Sequence, residues 1–381
     1  MKIAFVGDLF LGGDVLSDAF SNVSNVKSNT FQNADIRIAN LEQAVSEESY
    51  TADKSTLFTG SDALIKLHQM EIAAVCLAHN HIHDKTEQGI VDTVFHLEAN
   101  NIGHFGAGVN VKDAKKPYYI ADDLCLLAYC EFDKPYLKQI MVAGDERPGV
   151  NPLRYNEIVD DLDKLPENVK AVLYFHWGRE HVFLPPHQDI LLAKKLLEHD
   201  KVSLIIGSHA HRLQGYIDYN NKRAYMCVGN FLFPNFVINP PTQIANGFNV
   251  DKKLDVTRCY HSVFRPTYKK WKFVNRLSIV VTYEPDTGEV RHVGCYQSDN
   301  NPIVTELQSF QQIMLKTWLS FLSRIYALPK GSYLILEKIN ATVFYRGWNF
   351  RIRVFMIKQI VRVYGVKELG KKLAGRIKRG L

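Results

Sequence analysis

The chain has no Cys-x-x-Cys pair, no internal repeat and no low-complexity tract, and no window reaches the ~20 uninterrupted apolar residues of a spanning helix. A transmembrane helix is therefore not expected. The six cysteines (Cys76, Cys125, Cys130, Cys227, Cys259 and Cys295) are scattered, several of them inside strand-like runs, and read as buried free thiols in a reducing compartment. Nor does a charged lead with an apolar segment and a small-residue cleavage site come before the first strand pattern, Lys2 to Val6. Secretion by a standard signal is not expected, and a cytoplasmic location is. Acidic residues are scarce at one end: from Thr305 onward, Glu306, Glu337 and Glu368 face 15 lysines and arginines. The net charge of +6 thus belongs to the tail, and the rest of the chain is net acidic.

What is present is globular. A hydrophobic share of 46% with ordinary Gly and Pro usage suits a large folded core. Short apolar runs alternate with amphipathic segments, the rhythm of an α/β fold. Strands are expected at Lys2 to Val6, Asp35 to Ala39, Ile72 to Leu77, Gly103 to Phe105, Tyr118 to Ile120, Cys125 to Tyr129, Ala171 to Phe175, Ser203 to Ile206 and Ala224 to Val228. Helices are expected at Ser61 to Met70, at Thr86 to Asn100 with Ile90, Val91, Val94, Phe95 and Leu97 on one side, and at His187 to His199 with Ile190, Leu191, Ala193, Leu196 and Leu197 inward. Residues 236–275 read as a long loop or lid, and Leu277 to Tyr283 with Val290 to Tyr296 as a hairpin.

Polar clusters follow the predicted strands: Gly7-Asp8, Asn40-Leu41-Glu42, Ala78 to Asp84, His176-Trp177-Gly178 and Gly207-Ser208-His209-Ala210-His211. In α/β sheets the carboxyl ends of strands open into the ligand crevice, so these carboxylate, amide and imidazole groups are brought to one edge. Such a set suits divalent transition metals such as Mn, Zn or Fe. Each cluster alone has a plainer reading: Gly-Asp as a turn, Asn40 and Glu42 as a helix cap, the His79, His81 and His83 run as a solvated loop. His209 and His211 alternate along an expected extended segment, which would put both on one face. Trp177, Phe183 and Pro185-Pro186 serve equally as an apolar substrate wall or as packing.

In this order the motifs resemble the CapA capsule-synthesis and poly-γ-glutamate biosynthesis proteins, a branch of the calcineurin-like metallophosphoesterase superfamily. They are Gly7-Asp8-x-x-Leu11-Gly12, Asn40-Leu41-Glu42, Asn80-His81-x-x-Asp84, Gly106-Ala107-Gly108, His176-Trp177-Gly178-x-Glu180, Gly207-x-His209-x-His211-x-Leu213-Gln214-Gly215 and Gly229-Asn230-Phe231. The resemblance implies an αββα sandwich with one or two divalent ions. Asp8 and His211 would hold one ion, Asn80, His176 and His209 the other, and Glu42 would bridge them. It also implies that His81 protonates a leaving group or steadies the transition state, that Asp84 orients a neighbouring histidine, and that Arg212 meets an anionic group of the substrate. Three positions depart from the pattern: Phe10 stands where a ligand histidine is usual, His79 where an asparagine is, and His181 where an aromatic follows Glu180.

The implied role is metal-assisted hydrolysis of a phosphoester, with amide-bond hydrolysis also open, during synthesis of capsule, exopolysaccharide or poly-γ-glutamate; the alternative is a non-catalytic, polymer-binding subunit of a polymer synthase. Partners would be an anionic polymer or a phosphorylated substrate. The chain divides, on this reading, into a domain at 1–302 and a basic amphipathic helical tail at 303–381. In the tail, Leu307 to Ala327 and Phe350 to Val363 have helical spacing, with a break at Pro329-Lys330-Gly331. A helix with an apolar stripe and basic flanks suits an anionic membrane surface or a synthase complex, and equally suits packing on the catalytic domain. Nucleic acid is not the expected partner, because no recognised motif accompanies the charge.

Overall fold

The computed structural model describes residues 1–20, 22–52, 56–131, 141–238, 267–299 and 301–343, with scattered positions between 346 and 366. Two sheets face each other. The larger runs Val26–Lys27, Val304–Glu306, Glu289–Gln297, Leu277–Glu284, Ile3–Leu9, Ile36–Leu41, Ala74–Cys76 and Gly103–Phe105, with Asn230–Leu232 beside the end of Ile3–Leu9. The smaller runs Tyr216–Tyr219, Lys222–Tyr225, Val202–Ser208, Lys170–His176, Leu124–Cys130 and Tyr118–Ala121. The strands from Ile3–Leu9 to Gly103–Phe105 are parallel, as are the four central strands of the smaller sheet.

The period of two sets the layers. Leu126, Ala128, Val172, Tyr174, Leu204 and Ile206 turn toward Phe5 and the larger sheet. Their neighbours Leu127, Leu173, Phe175 and Ile205 turn outward, against Ile158 and Leu162 of the helix Tyr155–Asp163 and Ile190, Ala193 and Leu197 of the helix His187–Leu197. The helix Thr86–Ala99 buries Ile90, Val94 and Leu97 into the core that also holds the larger sheet. The result is an αββα sandwich. The Tyr174 hydroxyl ties the layers by donating to the Val6 carbonyl at 3.0 Å.

Several expectations need correction. Phe95 and Leu191 are 63% and 51% exposed, because each sits at the border of its helix's apolar stripe. The last strand of the smaller sheet is Lys222–Tyr225, not Ala224 to Val228, and Val228 instead packs in the inter-sheet core. Trp177 is core rather than wall: its indole N–H donates to the Met226 carbonyl at 2.9 Å and its ring packs on Phe175. Of the 236–275 segment, Phe236–Ile238 pairs antiparallel with Thr267–Lys269, while residues 239–266 lie outside the described residues. Cys259 lies there too; the other five cysteines are free and buried. The hairpin forms with Leu277 opposite Tyr296.

The first tail helix, Ser309–Ile325, is docked on the sandwich. Gln308 and Gln311 form a capping box at its start, Leu315 and Leu319 join the inter-sheet core, and Leu322 and Tyr326 join the outer one. The Tyr326 hydroxyl accepts from the Gly215 amide at 2.8 Å. Further on, Glu337 meets Arg179 at 3.2 Å, and Asn340 Oδ1 accepts from the Phe183 and Leu184 amides, both at 3.1 Å. Of the Phe350 to Val363 helix, only Phe350, Val354, Ile357, Lys358 and Val361 are described, and the terminal basic cluster from Lys371 lies outside the described residues.

Candidate metal centre

The strand ends supply the site. Asp8 comes from Ile3–Leu9, and Glu42 follows Ile36–Leu41. His176 ends Lys170–His176, and His209 and His211 follow Val202–Ser208. Asn80 lies in the turn after Ala74–Cys76. Close backbone approach makes this convergence possible: a Cβ at Gly7 would stand 1.9 Å from the Gly229 carbonyl, so only glycine lets Asn230–Leu232 run beside Asp8.

Two groups of metal-ligating side chains share one carboxylate. Glu42, His176 and His209 have ligand atoms within 4.8 Å of one another, and so do Asp8, Glu42 and His211. Glu42 Oε1 lies 3.7 Å from His176 Nε2 and 3.7 Å from His211 Nε2. Asn80 joins the first group, its Oδ1 2.8 Å from His176 Nε2. Asp8, Glu42, His176, His209 and His211 are all buried, as is Asn80.

Neighbouring groups set the imidazole tautomers. Ser208 Oγ donates to the Phe175 carbonyl at 3.2 Å and therefore accepts at 3.0 Å from His176 Nδ1, which holds the proton. That leaves the Nε2 lone pair facing Asn80 Oδ1, two acceptors that a cation held there would reconcile. Asn230 Oδ1 likewise lies 2.9 Å from His211 Nδ1 and turns Nε2 toward Glu42. Asn40 Nδ2 donates to Asp8 Oδ1 at 2.8 Å. Ser208, Asn230 and Asn40 were present in the motifs, but their orienting work was visible only in the packed site.

The electrostatics call for positive charge. Burial and then the charge of Asp8 push the Glu42 carboxyl well above the usual carboxylate range. Burial drives His176 well below the usual imidazole value. His211 feels the same burial, but the Asp8 carboxylate, its Oδ2 3.4 Å from Nδ1, outweighs it and raises the value. Both Glu42 oxygens and Asp8 Oδ2 are buried without a hydrogen-bond donor among the described residues. A divalent cation answers each of these, so the residues fit the metal.

His209 and His211 do not alternate along an extended segment. Both have left-handed backbone, φ +87° and +50°, and so serve two different groups with ring centroids 6.3 Å apart. His181 shares the strained conformation at φ +61°, and its ring lies 5.6 Å from that of His211. Such backbone in three nearby histidines is held in place by the surrounding structure.

Phe10 stands in an aromatic cluster with Phe233 and Phe236, at 5.4 and 4.9 Å between centroids, and contributes no ligand. Phe233 and Trp271 lie 5.6 and 5.3 Å from the His211 ring, so this side of the centre is walled by rings. Trp271 and Asn275, whose Nδ2 donates to the His211 carbonyl at 2.8 Å, come from the segment read as a loop. Irregular polarity gave no sign of that contact.

The remaining candidates lie around the cluster. His81 Nδ1 is 2.6 Å from Asp84 Oδ2, and that oxygen also accepts from the Leu57 amide at 2.6 Å. The Arg212 guanidinium lies over the Phe183 ring, 4.6 Å from the centroid.

A two-sheet sandwich with carboxylate, amide and imidazole groups at the strand ends defines the calcineurin-like metallophosphatase fold class. Within it, the chain belongs to a family of bacterial capsule synthesis proteins: the family description "Bacterial capsule synthesis protein PGA_cap" matches residues 2–235. It is similar to the "Capsule biosynthesis protein CapA" of Bacillus anthracis, 25% identical over 251 residues, 61% of this chain and 60% of that one. It is also similar to the "PGA biosynthesis protein CapA" of Bacillus subtilis strain 168, 26% identical over 242 residues, 61% of this chain and 63% of the relative. The chain thus spans about three fifths of the length of these relatives.

Proposed function

We propose that the protein is a metal-dependent hydrolase of capsule, exopolysaccharide or poly-γ-glutamate biosynthesis, and that its reaction is hydrolysis of a phosphoester. The names of the relatives support the pathway. One observation carries the chemistry: a single buried carboxylate, Glu42, belongs to both ligand groups. Asp8 and His211 would hold one ion and Asn80, His176 and His209 another, with Glu42 available to both; Mn, Zn or Fe would suit these nitrogen and oxygen donors. Ions bound there would supply Lewis-acid polarisation of a phosphoryl oxygen and would make water more acidic.

The chain's own residues do the rest. Asp84 holds the proton on His81 Nδ1 at 2.6 Å, so the proton exchanged with the leaving group is on Nε2. Arg212, its plane set by Phe183, meets an anionic oxygen of the substrate. The ring wall of Phe233 and Trp271 keeps water from the His211 side.

A second reading is favoured by Phe10, which withholds one ligand: a non-catalytic subunit that binds an anionic polymer in the same crevice. Metal-loaded protein assayed on nitrophenyl phosphomonoesters and phosphodiesters separates the two. Turnover abolished by Glu42→Ala and His81→Ala supports hydrolysis; stoichiometric metal without turnover of any ester or amide supports the binding role.

On this reading the tail meets an anionic membrane surface. Phe310, Ile313, Met314 and Phe321 are 73%, 62%, 59% and 52% exposed, on the side of the helix away from the buried Leu315, Leu319 and Leu322. No helix among the described residues is long and apolar enough to cross a membrane.

A further inference from the structure

A second basic feature lies outside the metal centre. A groove of about 760 Å³ opens where the helix Ser309–Ile325 crosses the hairpins Tyr216–Tyr219/Lys222–Tyr225 and Leu277–Glu284/Glu289–Gln297. Its walls include Arg223, Arg291, Lys316 and Arg324, with the rings of Tyr216 and Phe321 between them. Arg291 is opposite Thr282 and Thr282 opposite Ala4, which precedes Asp8 by four residues on the same strand. At ~3.3 Å per residue the groove is therefore displaced by ~13 Å along the strands from the metal cluster.

The helix spacing is what turns these charges inward. Lys316, Ser320 and Arg324 recur every four residues on one flank of the helix, beside the face that buries Leu315, Leu319 and Leu322. On the opposite wall, Asp218 binds Arg223 at 2.5 and 3.0 Å, and Glu289 binds Arg291 at 2.6 Å. Those two acids fix the arginines without matching the helix. Lys316 and Arg324 have no acidic partner among the described residues. Arg223 stacks on Tyr216, 4.2 Å from its centroid, so its plane is preset.

We infer that this groove is a binding site for a polycarboxylate chain, holding a stretch of the anionic polymer away from the reacting centre. The inference takes its ligand from the polymer reading above and requires no metal chemistry. Cations distributed over three elements match charges repeated along a chain better than one compact anion. The volume admits several residues of such a chain, and the two rings offer apolar faces to its methylenes. A remote hold of this kind raises the local concentration of chain at the crevice.

The probe is fluorescently labelled oligo-glutamate added to the metal-loaded full-length protein, read by anisotropy at low salt. Binding that weakens at least tenfold in Lys316→Glu/Arg324→Glu, and falls in 0.5 M salt, is the expected result. Both residues are exposed, so the fold should survive; an unchanged melting temperature and unchanged metal content establish that it does. Wild-type affinity in the charge-reversed protein overturns the inference. So does displacement of the probe by equimolar inorganic phosphate, which marks a compact-anion site, or loss of vesicle binding with no loss of oligo-glutamate binding, which marks a lipid surface. Glu42→Ala should leave probe binding intact; if ester hydrolysis fails while the groove binds, only the hydrolytic reading falls, and hydrolysis without groove binding overturns only the present one.

Discussion

Replacing Glu42 by glutamine should shift stability in opposite directions with and without metal. The substitution keeps shape and removes charge. In the metal-free protein Glu42 is fully buried, both oxygens lack a donor, and burial with Asp8 opposes its ionisation. An unsatisfied buried polar group costs about 1–3 kcal/mol, and more when charged. Glu42→Gln should therefore stabilise the protein in chelator by about 2 kcal/mol, a rise of a few degrees in melting temperature for a chain of this size. With metal at a hundred times its wild-type Kd, the native protein gains about 2.7 kcal/mol. If losing the shared ligand weakens affinity about a hundredfold, the same metal concentration equals the variant's Kd and the gain shrinks to about 0.4 kcal/mol. Thermal melts of both proteins in chelator and in Mn, Zn or Fe read the two effects. A variant less stable than wild type in chelator that keeps the full metal-induced shift would refute the reasoning.

Three further outcomes are expected. His81→Ala should lower kcat on a phosphodiester by about 10²- to 10⁴-fold with metal content unchanged, whereas Asp84→Asn, which also touches the Leu57 amide, should lower both kcat and melting temperature; metal analysis beside steady-state kinetics checks this. His292, held by burial and then by Arg223 and Lys316 at about 4 instead of 6.5, is neutral when folded but gains a proton when unfolded, so its contribution is complete above pH 6.5 and is lost as pH falls toward 4. Urea titrations should show up to about 3 kcal/mol of acid destabilisation that His292→Gln removes; an identical acid slope in the variant would count against it. Leu319→Ala, at a residue fully buried between the sheets and the tail helix, should cost about 2–5 kcal/mol, and a cost near zero would mean that the helix is not docked.

The sequence by itself determined the α/β rhythm and the chemical content of the site. Parallel strands put their carboxyl ends at one edge, so a polar cluster after each apolar run already names Asp8, Glu42, Asn80, His176, His209 and His211. Tertiary structure alone decided which groups share Glu42, because distances between strand ends depend on sheet order and on the close approach at Gly7. It also decided the left-handed backbone of His209 and His211, which local spacing reads as extended. The tail helix makes the same point from the other side. An apolar stripe with basic flanks looks alike whether it meets lipid or protein, and only the burial of Leu315, Leu319 and Leu322 assigns one face to the sandwich and leaves Phe310 and Met314 in solvent.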